Sequence, residues 1–423
     1  MLKELKVPLF DLVSCLSNAM DMVDPLLVDH HKQVAYIAMR IARELGLSLV
    51  QEQDLVLAGV LHDIGALSVT DKLQAMQFEF EDPYKHAKLG YLLLKMHEPF
   101  SSIATLIRFH HVPWHEGEGA VFDGEKVLFG SHILHLADRI AVSINKQQEI
   151  LAQVTEVCGK IEKNAGEMFM PEVVNAFKAL AQREYFWCDL SSSTIGSILT
   201  RSVILPTIEQ DIDDLLSLAK VFAHIIDFRS RFTATHSSGV SATATALAKL
   251  ARFTERECKM MSIAGYLHDL GKLAVPTEIL EKPAKLTEDD FNIMRRHTYL
   301  TYRALEVIDG FDIINTWASF HHERINGSGY PFHHKGADMT LGSRIMAVAD
   351  VFTAITEDRP YRKGMTEDNA MHVLQQMADN TFLDSDLVVL LRLHFDDINL
   401  ARKVAQAASI EEYGHLMKLP TAQ

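Results

Sequence analysis

Two stretches, "LAGVLHDIGAL" at 57–67 and "IAGYLHDLGKL" at 263–273, are identical at seven of eleven positions. Each is apolar at helical spacing, reaches a His-Asp pair and stops at a glycine, the signature of a helix end. The pairs His62-Asp63 and His268-Asp269 lie 206 positions apart, and so do His30 and His236, each followed four residues on by a valine. His86 and His297 are separated by 211, as are the doublets His110-His111 and His321-His322, and Asp138 and Asp350 by 212. Two short insertions in the second copy account for the whole register. An internal repeat therefore organises the chain. What it preserves is an ordered set of five imidazoles and two carboxylates, not only a packing pattern.

The rest of the sequence reads as helix. "HSSGVSATATALAKLARF" (236–253) places Val240, Leu247 and Leu250 on one stripe. Thr287 precedes an acidic first turn and predicts an N-cap. "LGSRIMAVADVFTAIT" (341–356) is a further apolar helix, and no sustained strand-type alternation occurs. The fold class expected is all-α: two tandem helical domains, 1–200 and 201–423, joined by a helical connector over 207–228. "DLSSSTIGS" (189–197) is the most linker-like stretch before it.

With 423 residues, 48% hydrophobic and 23% charged, the chain is long enough for two domains with real cores. A net charge of −15 argues against a DNA or RNA polymer as partner, while a small anion would need a local positive pocket. The four cysteines form no C-x-x-C, which argues against a disulfide framework or a thiolate metal site and fits a reducing cytoplasm. The N-terminal "MLKELKVPLFDLVSCLSNAM" reads as an amphipathic helix, and no apolar run predicts membrane insertion.

Histidine and aspartate are natural ligands for divalent ions of intermediate softness. Five histidines and two aspartates exceed one tetrahedral zinc and suit two ions with a bridging carboxylate. Asp269 directly follows His268 and can lean towards a second ion, while His321 and His322 can each serve a different one. Two ions about 3.5–4 Å apart suit phosphoester hydrolysis. The bland alternative for one His-Asp pair is a satisfied core pair; the full set, present twice, favours metal.

"HDLGK" (268–272) with the downstream "HHERINGSGYP" (321–331) resembles the HD-GYP subclass of the HD superfamily, over about residues 230–370 well and over the first half more loosely. The tandem arrangement is similar to that of bacterial phosphodiesterases acting on 3′,3′-cyclic GMP-AMP. The resemblance implies an all-helical, metal-dependent phosphodiesterase that hydrolyses a cyclic dinucleotide (3′,3′-cyclic GMP-AMP or cyclic di-GMP) to a linear one, by attack of a metal-bridging hydroxide. It implies metal ligands at His236, His268, Asp269, His297, His321, His322 and Asp350, catalytic roles for Asp269 and Lys272, and two divalent ions, Fe or Mn first, with Ni, Co or Zn as alternatives. Substrate contacts are implied at Lys272, Gly329, Tyr330, and Arg359 and Arg362 of "DRPYRKGM" (358–365), arginine being suited to phosphate and guanine edges. A solvated basic turn is the alternative there. The Gly-Tyr-Pro loop has also been linked to docking of a signalling partner. Glu323 reads as orienting a ligand histidine or as a surface ion pair.

Two departures matter. A glutamate that gives some members a third metal stands four residues before the first histidine; here that residue is Phe232, so two ions are expected. In the first copy Ala66 replaces the lysine, and "HHVPWHEGEGAVF" (110–122) replaces the Gly-Tyr-Pro loop. His30, His62, Asp63, His86, His110, His111 and Asp138 nevertheless persist as a second candidate metal site. The first copy is then a metal binder without this catalysis, an empty regulatory module, or a second enzyme, the favoured expectation being little or no catalysis. Rival readings of the whole chain are a nonenzymatic HD-type signalling or binding module and another HD-type chemistry, a nucleotide phosphohydrolase or a di-iron oxygenase. Base preference, metal identity and oligomeric state are not written in the sequence.

Overall fold

The computed structural model describes residues 7–22, 28–66, 75–78, 83–95, 97–202, 209–228, 235–282, 284–358 and 363–417. The fold is all-α. Among the described residues the only strands are two-residue ladders, Val7–Pro8 with Glu209–Gln210 and Val121–Phe122 with Glu125–Lys126. Among the described residues no helix is long and apolar enough to cross a membrane.

The chain forms two compact units, residues 20–207 and residues 208–423 with the first 19. This division departs from 1–200 and 201–423 at both ends. The stretch read as a linker runs into the helix Ile195–Ser202, whose Ile195 and Leu199 are buried, and that helix packs on the helix His30–Glu44 of the first unit. The strand Val7–Pro8 pairs instead with Glu209–Gln210. The expected polar connector is the helix Ile212–Phe228. It packs against the helix Glu255–Leu267, burying Leu215, Leu218, Val221, Phe222 and Ile225. That apolar stripe outweighs the acidic first turn that made the segment read as polar, so the helix is a core member of the second unit.

Both units are built round a helix that begins at the first histidine of the repeat. His30–Glu44 packs on the helices Leu49–Leu61, Phe129–Ser143 and Pro171–Ala181; His236–Leu250 packs on Glu255–Leu267, Leu341–Thr356 and Phe395–Met417. Val34, Ile37 and Ile41 in one, and Val240, Ala244 and Leu247 in the other, are fully buried. Leu250 of the predicted stripe is only half-buried, at the end of its helix.

The following helix is set by the same local chemistry in both copies. Ser48 with Gln51, and Thr254 with Glu257, form reciprocal capping boxes. Thr287 forms another with Asp290, as its position predicts. The turn before each of the paired boxes needs a left-handed residue. Gly46 supplies it in the first copy (φ 66°) and Arg252 in the second (φ 64°). Each second helix lies unusually close to the first. A Cβ on Gly59 would lie 2.6 Å from Ala35 Cα, and one on Gly265 2.5 Å from Ser241 Cα. The "AG" before each His-Asp pair is therefore a packing requirement that brings His62 to His30, and His268 to His236, with ring centres 5.2 and 5.4 Å apart.

Candidate metal centre

In the second unit every candidate donor sits where a helix begins, ends or crosses the core. His236 opens its helix, and His268 caps Glu255–Leu267. Asp269 follows, and Lys272 lies in the 3-10 turn Leu270–Ala274. His297 lies in the first turn of Arg296–Glu306, His321 and His322 just beyond Asp312–Ser319, and Asp350 within Leu341–Thr356. The His-Asp turn rests on the backbone of the next histidine: a Cβ on Gly271 would fall 2.0 Å from His297 O. Gly271 N–H donates to Thr301 Oγ1 (2.9 Å), which donates to His268 O (3.0 Å).

These elements bring all seven donors together. Asp269 Oδ2 lies 3.2 Å from His268 Nε2 and 4.0 Å from His236 Nε2, which is itself 3.1 Å from Asp350 Oδ1. Asp269 Oδ1 faces the other way, 3.4 Å from His297 Nε2 and 3.9 Å from His321 Nε2. His322 Nδ1 lies 3.7 Å from Asp350 Oδ2. One carboxylate thus touches two half-sites. His268, His297 and His321 each donate Nδ1–H to the carbonyl three residues back, Gly265 (2.8 Å), Met294 (2.7 Å) and Ala318 (2.6 Å). That fixes the tautomer and leaves the Nε2 lone pair facing inwards.

The donor set fits divalent metal. His268 Nε2 and Asp269 Oδ1 are buried without a hydrogen-bond partner among the described residues, which is costly unless an ion completes them. Burial holds His297 down at about 3 and His321 and His322 below the usual imidazole range, so they stand ready as neutral ligands. Burial would raise Asp269, but His268 and Lys272 hold it well below the usual carboxylate range. Lys272 Nζ donates to Asp269 Oδ2 at 2.5 Å.

The first unit repeats the constellation. His30 Nε2 is 3.4 Å and His62 Nε2 3.7 Å from Asp138 Oδ1; His62 Nε2 is 3.4 Å from Asp63 Oδ2. Asp63 Oδ1 is 3.2 Å from His86 Nε2 and 4.0 Å from His110 Nε2, while His86 and His111 face each other, Nε2 to Nε2, at 3.0 Å. His62 and His110 donate Nδ1–H to Gly59 O and Ile107 O, matching their counterparts.

Models of the HD domain match residues 27–143 and 220–387, spans that take in both sets of seven. The chain carries two HD domains in tandem. It is 29% identical over 406 residues to the 3'3'-cGAMP-specific phosphodiesterase 1 of Vibrio cholerae, covering 93% of this chain and 94% of that protein. It is 37% identical over 172 residues to a cyclic di-GMP phosphodiesterase response regulator of Xanthomonas campestris, covering 40% of this chain and 46% of that one, less than half its length. A solved cyclic GMP-AMP specific phosphodiesterase of V. cholerae superposes with a TM-score of 0.64 at 22% identity, covering 98% of this chain and 99% of that one, a likeness of fold.

The second HD domain also uses residues that the motif does not name. Glu357 Oε2 lies 3.2 Å from His236 Nδ1 and accepts from Gln406 Nε2 at 3.3 Å. Seven residues beyond Asp350, it is the acid that precedes "DRPYR", a signal the sequence held. Among the described residues Glu323 meets no histidine ring and no surface cation. Buried, it accepts from the backbone N–H of Phe332 (2.6 Å) and His334 (3.0 Å), and so pins the Gly-Tyr-Pro loop. Gly327 takes positive φ (79°). Gly329 is required for a close approach: a Cβ there would lie 2.4 Å from Arg324 N, so the loop folds on its own stem. Tyr330 lies against His322, ring centres 5.0 Å apart. Phe232, Arg359 and Arg362 lie outside the described residues.

The first HD domain departs in its cations. Ala66 is buried where Lys272 stands in the second, and Arg139 follows Asp138 where Val351 follows Asp350. The Gly-Tyr-Pro loop is replaced by a 3-10 segment, His115–Ala120, and the small hairpin 121–126.

Proposed function

We propose that the second HD domain is a metal-dependent phosphodiesterase that opens a cyclic dinucleotide, 3′,3′-cyclic GMP-AMP or cyclic di-GMP, to the linear dinucleotide. The observation that carries this reading is Asp269, whose two oxygens face two groups of imidazoles, with Lys272 beside them. The relatives named as 3'3'-cGAMP-specific and cyclic di-GMP phosphodiesterases support the substrate class. Two divalent ions, iron or manganese ahead of nickel, cobalt or zinc, suit a set of imidazoles and carboxylates. Bound there, they supply Lewis acidity towards a phosphoryl oxygen and an acidified water.

The protein's own residues do the rest. Asp269 and Asp350 fix the spacing of the half-sites, and the Nδ1 bonds hold the imidazoles in place. Lys272, 20% exposed, has N–H groups left to stabilise charge developing on the phosphate. Gly329 and Tyr330 line the approach beside His322. Arg359 and Arg362 hold the dinucleotide's phosphates or guanine edges. These groups create a local positive site on a chain of net charge −15. The net reaction exchanges one ring P–O3′ bond for a bond to water oxygen and leaves a 3′-hydroxyl. The cytoplasm is the proposed location, and the pinned Gly-Tyr-Pro loop a surface for a signalling partner.

The test compares wild type with His268→Ala for bound metal and cyclic dinucleotide turnover. The reading expects loss of turnover and of metal with retained helical content; unchanged turnover overturns it.

A further inference from the structure

We propose that Arg139 seals the centre of the first HD domain, making it a closed structural metal site that retains its ions and offers no donor to a phosphate. The proposal stands on the first domain alone and does not depend on the substrate of the second.

The centre is built to receive an ion. His30 Nε2, His62 Nε2, Asp63 Oδ1, His110 Nε2 and Asp138 Oδ1 are all buried without a hydrogen-bond partner among the described residues. Five such atoms converging in one core are costly unless a cation completes them. Asp63, His86, His110 and His111 place one donor atom each within 4.8 Å of one another, and so do His30, His62 and Asp63.

Arg139 then determines what that ion can do. Arg139 is 1% exposed, and its guanidinium has five N–H groups. Nε and Nη2 both donate to Asp138 Oδ2, at 3.1 and 2.5 Å. Nη2 also donates to Ala75 O at 2.9 Å, and Nη1 donates to Gln77 O and to Phe78 O, the latter at 3.1 Å. All five are spent within the protein. The oxygen of Asp138 that Arg139 takes corresponds to the one facing His322 in the second domain. The strip 75–78 is itself anchored. Phe78 packs on the buried ring of Phe169 at 6.2 Å, Lys160 Nζ lies 3.7 Å above Phe78, and Phe169 packs against His135 at 5.3 Å.

The second domain reverses each of these features. Its cation, Lys272, comes from the His-Asp turn, is 20% exposed and has three N–H groups, one donated to Asp269. Each centre sets a cation beside one of its two candidate ligand aspartates. In the second the cation faces an approach; in the first it is a buried clamp holding a ligand carboxylate to neighbouring backbone. A clamp of this kind slows ion release and orients Asp138.

The experiment measures metal per chain by mass spectrometry during timed EDTA dialysis, with hydrolysis followed in parallel. It uses full-length wild type, Asp269→Ala, and Asp269→Ala combined with Arg139→Met. Asp269→Ala removes the bridging carboxylate of the second centre, so metal that stays belongs to the first. The proposal expects wild type to lose hydrolysis while part of its metal remains. It expects Asp269→Ala to keep that part, and Arg139→Met to release it about tenfold faster or more. An Asp269→Ala chain without metal, or one losing it as fast as hydrolysis is lost in wild type, overturns the proposal; so does unchanged retention in Arg139→Met. Should that variant fail to fold, Arg139→Lys, with fewer donors, and the comparison of wild type with Asp269→Ala still decide.

Discussion

Glu357 Oε2 lies 3.2 Å from Nδ1 of His236, on the side of the imidazole away from Asp350. Both partners are buried. Burial alone would push the imidazole down, but Glu357 and Asp350 outweigh it and take His236 up to about 10. The carboxylate thus fixes which nitrogen faces the centre and makes the ring a stronger base, the role outer carboxylates play for metal-bound histidines.

Glu357→Ala therefore weakens metal binding at the second centre by about 10–100-fold. Competition with a chelating dye gives the apparent affinity. Unchanged affinity would show that His236 needs no such support.

Lys272→Met keeps the seven candidate donors and removes the cation that Asp269 meets among the described residues. Metal content is expected to hold while kcat falls by about 10²–10³-fold, the usual loss for one electrostatic donor at developing charge. Paired metal analysis and turnover separate this from a ligand role, in which both would fall.

Glu323→Ala leaves the N–H groups of Phe332 and His334, both at partly exposed positions, without their acceptor, at about 1 kcal/mol for each bond lost. Hydrogen exchange is expected to speed up across 327–335 while Asp312–Ser319 stays protected. An unchanged loop would contradict the pinning role.

Arg252 is exposed and left-handed (φ 64°), where the first domain has Gly46. Arg252→Gly relieves a penalty of about 1 kcal/mol and should raise the Tm of the second domain. A lower Tm would mean that the arginine has a stabilising contact.

The clustering of the candidate donors was legible because the repeat preserves them in order, and the helices because apolar spacing and caps recur. The glycine after each His-Asp pair read as a helix stop, but the helices end before the pair, at Leu61 and Leu267, and Gly65 and Gly271 serve instead as points of backbone contact that only the fold reveals. Glu357 was missed because it meets His236 only through folding, across 121 residues. Arg139 escaped notice because a cation beside an aspartate ordinarily reads as a solvated pair, whereas here both are buried. The helix Ile212–Phe228 was misread because the acids of its first turn drew attention from its buried stripe.

The most direct measurement is product chromatography after metal-replete protein is incubated with 3′,3′-cyclic GMP-AMP and, separately, with cyclic di-GMP. The account predicts a linear dinucleotide from at least one of them, abolished by His268→Ala. Intact substrate in both reactions, with metal bound at the second centre, would contradict it.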